Sequence, residues 1–207
     1  MIFNYESMKI RFIRVICVQL FFFSLFTVNV HAQDSFTITN YFTENYRDFP
    51  FMKISIIPPA GFQKDTLALG FYSKKYSSAL RATEMRIGIA AATEIFFKSF
   101  DSITKKDSAG MTLLESYSFK INGFEAKLAS LYGKIEGEDY FEWRIFIGDK
   151  LNTYIVKGYF PASRKNEIDH DIRTALLSVF YEPDRRILPP NSDWTMTSSG
   201  KCACQRK

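Results

Sequence analysis

The chain has 207 residues, 46% of them hydrophobic and 16% aromatic, with 27 basic against 22 acidic side chains. That is enough apolar material for one globular domain with a sizeable core, and too much for a disordered chain. Without Lys9, Arg11, Arg14 and Glu6 the balance falls to 24 basic and 21 acidic groups, and five of the basic ones lie in the last 26 residues, so the body is near neutral and nucleic acid is not an expected partner.

The chain opens with a basic stretch, Met8-Lys9-Ile10-Arg11 with Arg14, and Met8 is an alternative start. An apolar run from Val15 to Val28 follows, then the small-residue signature Val30-His31-Ala32. This order predicts a secretory signal peptide over 1–32, leaving Gln33 as the new N-terminus and no stable membrane span after processing. The run is short for an uncleaved anchor. No cysteine follows it at the cleavage point, and Cys17 belongs to the run itself.

Residues 33–50 form an aromatic arm, with Phe36, Tyr41, Phe42, Tyr46 and Phe49 interleaved with Thr, Asn and Asp. Without a clean period, such an arm is expected to lay its rings over one edge of the core; a binding surface is the alternative. The main domain spans 51–182. Met52–Ile57 reads as a short strand stopped by Pro58-Pro59, and Leu67–Ser73 and Ser77–Ile87 as two more. Ala92, Phe96, Ser99, Phe100 and Ile103 then recur at helical spacing. Thr93 is a candidate cap for this helix, and Lys105-Lys106 suits its C-terminal end.

Leu113 to Phe160 reads as four consecutive antiparallel strands. Asn122-Gly123 signals a two-residue type I′ turn. Around it, Ile121 pairs with Phe124, Phe119 with Ala126 and Tyr117 with Leu128, all apolar; Lys120 with Glu125 and Ser118 with Lys127 are polar. One face is therefore buried and the other wet. A second hairpin with Asp149-Lys150 as its loop would pair Ile145 with Tyr154 and Trp143 with Val156. Ser163 then caps a helix with an apolar stripe of Ile168, Ile172, Ala175, Leu176 and Val179, with Asn166 and Asp169 as an alternative capping pair. Val179-Phe180-Tyr181 reads as a short last strand. From 183 to 207 the Pro, Asn, Ser and Gly content predicts a flexible tail carrying Cys202 and Cys204.

Three landmarks stand out: Ile54-Ser55-Ile56-Ile57-Pro58-Pro59-Ala60-Gly61-Phe62, Ile121-Asn122-Gly123-Phe124-Glu125-Ala126, and Ile172 to Val179 in the last helix. With the strand around Trp143, this arrangement resembles the PsbP/DcrB-like family over roughly residues 50–182. The resemblance implies an α+β fold, a sandwich in which an antiparallel sheet of about six strands is flanked by helices. It brings no shared catalytic residue, because these motifs are turn and packing devices.

Asp169-His170-Asp171 is the cluster closest to a catalytic one, since a histidine beside carboxylates can serve as a base. On a helix, however, neighbours i and i+1 point about 100° apart. The side chains facing His170 are Glu167 and Thr174, and a solvated histidine accounts for the pattern. Glu136-Gly137-Glu138-Asp139 lacks calcium-loop spacing and reads as a hairpin tip. Cys202 and Cys204, spaced C-x-C, form only a strained small ring with each other and are expected to be reactive thiols of an unstructured tail. No catalytic, cofactor-binding or metal-binding residue is assigned, and no cofactor is expected. The expected function is an exported, non-catalytic binding or accessory protein of a bacterial-type cell envelope, periplasmic or extracellular. Its expected partner is a protein or an apolar small molecule. The alternative is a hydrolase or transferase whose site assembles only in three dimensions around His170 and Glu167.

Overall fold

The computed structural model describes residues 36–65 and 70–187, together with the backbone of two short strands at 194–196 and 202–204. In chain order the elements are β1 (Thr37–Ile38), β2 (Arg47–Asp48), β3 (Ile54–Ile56), β4 (Gln63–Asp65), β5 (Gly70–Ser73), β6 (Ser78–Met85) and α1 (Ile89–Lys98). The long strands β7 (Thr112–Ile121), β8 (Phe124–Ile135), β9 (Glu138–Gly148) and β10 (Thr153–Pro161) follow. A 3-10 turn at Ala162–Arg164 leads into α2 (Lys165–Leu177), then β11 (Phe180–Tyr181), β12 (Trp194–Met196) and β13 (Cys202–Cys204). The fold is α+β, as expected, but the main sheet has eight strands rather than six, in the order β1-β7-β8-β9-β10-β6-β5-β4. The additions at its two edges, β1 and β4, are short strands with no apolar alternation to announce them.

The β7–β8 hairpin has the register its sequence predicts, Ile121 with Phe124 through Tyr117 with Leu128. Asn122 and Gly123 both adopt positive φ, 50° and 84°, which a type I′ turn requires. Lys120 and Glu125, opposed on the wet face, are 3.1 Å apart. The β9–β10 hairpin differs from expectation. Ile145 pairs with Val156 and Trp143 with Gly158, because the loop spans Asp149 to Asn152 rather than two residues. Asp149 Oδ1 accepts the N–H groups of Leu151 and Asn152 at 2.7 and 2.8 Å, an Asx turn that consumes the two extra residues. A shift of two leaves every side chain on its predicted face.

On one face of the sheet, Ile168, Ile172, Ala175 and Leu176 of α2 are buried in a core shared with Trp143, Ile145, Val156 and Phe160. Trp143 Nε1 donates to Asp169 Oδ1 at 2.8 Å, so Asp169 anchors the indole rather than capping the helix. Ser163 is not the cap either; it lies in the 3-10 turn, and α2 starts without a side-chain cap bond. At its other end, Asn40 Nδ2 donates to the carbonyls of Leu177 and Val179.

The opposite face carries α1, whose Phe96 ring sits 4.9 Å from that of Phe146. This helix is shorter than its apolar spacing predicts. Gly88 rather than Thr93 occupies the cap position, and the Thr93 hydroxyl donates back to Ile89 O. Past Lys98 the Asp101 carboxylate takes the N–H groups of Ile103 and Thr104, which turns the chain and leaves Ile103 89% exposed.

The aromatic arm packs over the core. Phe36 stacks on Phe119, Phe49 meets Phe71 edge-on, and Phe42 and Tyr46 stack against each other and meet Phe180. A small sheet, β11-β3-β2, joins the arm to the end of the domain, and Arg185 adds polar links to Asp48 and Ser55. In the C-terminal segment β12 and β13 pair antiparallel, Trp194 opposite Cys204, a hairpin that its composition does not announce. Residues 1–35, which contain the expected signal peptide, lie outside the described residues.

Candidate functional site

Three connections meet at one end of the main sheet: the passage from β6 through Gly88 into α1, the Asn122-Gly123 turn, and the Asp149–Asn152 loop. Asp149 links the last of these to the first and to β11. Its carboxylate orders its own loop, its carbonyl accepts the Ile89 N–H at 3.0 Å, and its Oδ2 accepts the Tyr181 hydroxyl at 2.6 Å. Burial pushes the Asp149 carboxyl up, but the Tyr181 hydroxyl and the N–H groups of Leu151 and Asn152 outweigh it and hold the group below its ordinary value. Burial and the adjacent Asp149 push Tyr181 up, so it stays a donor. Gly88 is required here by space, since a Cβ on it would lie 2.4 Å from the carbonyl oxygen of Lys150.

Between these connections lies a cleft of about 530 Å3, with Ile89, Ala90, Ala91 and Phe124 as its apolar lining and Glu125, Asp149 and Lys150 as its charged residues. A smaller hollow of about 330 Å3 adjoins it, sharing Ile89, Ala90 and Glu125 and reaching Thr93, Ser118 and Lys127. Glu125 is engaged by Lys120, and Asp149 by Tyr181 and its own loop. The cleft therefore offers an apolar wall with its carboxylates already satisfied. Nothing in that wall resembles a nucleophile with its base.

The residues singled out in the sequence lie elsewhere. His170 is exposed on α2, and among the described residues no hydrogen bond or ion pair joins it to another side chain. Glu167, also exposed, pairs with Arg164 at 2.8 Å instead of His170. A third hollow, about 260 Å3, touches Asp171 and Thr174 on α2 and Ser178 just past its end, and does not include His170. Glu136 and Gly137 form the β8–β9 turn. The thiols of Cys202 and Cys204 lie outside the described side chains. Among the described residues no three His, Cys, Asp or Glu side chains group as metal ligands would. The cleft-lining residues were recognisable in the sequence only as separate turn signals.

No protein-family model matches the chain, and no curated protein matches it. Solved structures share its outline. A protein of unknown function from Pseudomonas aeruginosa is 12% identical, covers 69% of this chain and 90% of its own, and has a TM-score of 0.45. PsbP from the cyanobacterium Synechocystis sp. PCC 6803 is 9% identical over 63% of this chain and 87% of its own, with a TM-score of 0.45. LpqN of Mycobacterium tuberculosis, involved there in cell envelope biogenesis, is 9% identical over 63% and 83%, with a TM-score of 0.48. At such identities and scores the likeness carries no residue role or activity across.

Proposed function

We propose that this is an exported, non-catalytic binding or accessory protein of a bacterial-type cell envelope, and that the cleft beside α1 holds an apolar small molecule. The observation that carries this reading is the cleft itself. Its volume of about 530 Å3 falls within the range of small-molecule sites, roughly 300–1,000 Å3. Its wall is Ile89, Ala90, Ala91 and Phe124, and its carboxylates are already committed to protein partners. A solvent-facing His170, which lines neither of the two joined hollows, fits a binding module better than a hydrolase built around that histidine. Export rests on the basic and apolar order of residues 8–32. Among the described residues no helix is long and apolar enough to cross a membrane.

Titration calorimetry of the mature protein with dodecanol tests the reading. Saturable binding is expected, lost when Ala90→Trp fills the wall shared by both hollows and unchanged in His170→Ala. Absence of binding, or binding indifferent to Ala90→Trp, overturns it. So does turnover of generic ester, phosphate or peptide substrates that His170→Ala abolishes.

A further inference from the structure

Four charged residues line the two joined hollows. Glu125 faces Lys120 at 3.1 Å. Asp149 is held by Tyr181 and its loop, and Lys150 is exposed on that loop. Lys127 differs from all three. Its ammonium lies 3.9 Å from the centroid of the Phe97 ring, on a half-buried stretch of β8. Its cross-strand neighbours are Ser118 and Phe146, neither of which neutralises it. The charges diagonal to it on the same face, Arg144 on β9 and Lys120 on β7, are of like sign and already paired, with Glu142 and Glu125. Among the described residues Lys127 has no carboxylate. Burial also pushes its pKa below the ordinary lysine value, as expected of a cation held without a counter-ion.

We infer that the molecule held in the cleft is a free long-chain carboxylate, its tail along Ile89, Ala90 and Phe124 and its head group on Lys127. This rests on the binding reading above and names the ligand class for the same site. The spacing suits an amphiphile. Lys127 is two residues beyond Glu125 on one strand, about 7 Å along the sheet, so the apolar wall and the unneutralised cation lie end to end. A carboxylate reaching Lys127 exchanges bulk water for a charge-assisted bond in a partly dry setting, the kind about twice as strong as a neutral hydrogen bond. An alcohol of the same chain length can accept a hydrogen bond from the ammonium but brings no charge to neutralise it. Glu125, between the two regions, does not repel the head group as a bare charge would, because Lys120 faces it.

The experiment compares dodecanoate with dodecanol on the full mature protein, using wild type, Lys127→Met and Lys127→Arg. Methionine keeps the apolar stem over Phe97 and removes the charge. Wild type is expected to prefer dodecanoate by about tenfold in Kd. Lys127→Met should bring the two ligands within about twofold by weakening dodecanoate far more than dodecanol, and Lys127→Arg should keep the preference. Equal affinities in wild type, or a preference that survives Lys127→Met, overturn the carboxylate assignment and leave the apolar cleft standing. Failure of both ligands to bind wild type overturns the cleft reading and this assignment together.

Discussion

Replacing Trp143 with alanine probes the packing of α2 on the sheet. The side chain is 4% exposed, lies in the core with Ile172 and Leu176, donates to Asp169 at 2.8 Å and has the Arg173 guanidinium 5.3 Å from its ring. Removing a buried aromatic of this size costs about 3–5 kcal/mol. The indole N–H bond accounts for about 1 kcal/mol of that, since water can replace the indole at the partly exposed Asp169. The cation–π contact adds about 0.5–1 kcal/mol. Trp143→Phe, which keeps most of the apolar area, should therefore lose about 2 kcal/mol, and Trp143→Ala about 4 kcal/mol. At about 2–4 °C per kcal/mol for a chain of this length, the alanine variant should melt some 8–16 °C lower. Urea titration followed by far-UV circular dichroism measures both losses without depending on indole fluorescence. A loss below about 1 kcal/mol for Trp143→Ala would refute the burial of this face.

Asp149→Ala leaves the buried Tyr181 hydroxyl without its acceptor and should cost about 1–3 kcal/mol at neutral pH. The Asp149 carboxyl titrates below its ordinary value in the folded protein, so its contribution is present above the unfolded value near 3.9 and fades as pH falls through the lower, folded one. The gap between wild type and Asp149→Ala should accordingly shrink in acid, and a gap that widens there would contradict the hydrogen-bond assignment. Gly158→Ala would place a Cβ 2.5 Å from Ile172 Cγ2 and 3.0 Å from Leu80 Cδ2, costing about 1–3 kcal/mol by overpacking. In an Ile172→Ala background that cost should fall; equal costs in both backgrounds would show that the helix does not press on the strand there. Intact-mass analysis of exported protein should find its N-terminus near Gln33, and a mature chain retaining Phe21–Phe26 would mean an anchored topology.

The parts of the fold legible from sequence are those where one local signal leaves a single solution. Asn122-Gly123 admits only a two-residue turn, and apolar alternation on both sides then dictates the pairs of β7 with β8 from Ile121 back to Glu115, beyond which a bulge shifts the register by one residue. The β9–β10 register was not legible, because Asp149 looks like one half of a two-residue loop until its side chain is seen holding two later N–H groups. Phe100 and Ile103 continue the period of α1, yet Asp101 offers the backbone a competing turn and the helix stops before them. Strand β4, Gln63-Lys64-Asp65, has no pattern of its own and exists by pairing with β5. The cleft was beyond reach for a related reason. Gly88, Phe124 and Asp149 come from three connections far apart in sequence, and only the strand order of the sheet brings them to one end. His170 drew attention through its acidic neighbours, which the helix turns away from it.

Chemical-shift mapping on the isotope-labelled mature protein, titrated with dodecanol, tests the central claim most directly. If the cleft beside α1 is the binding site, the perturbed amides should cluster at Gly88–Ala91, Gly123–Glu125 and Gly148–Lys150, with α2 unaffected. Perturbations centred on Asp171, Thr174 and Ser178, or none at all, would contradict it.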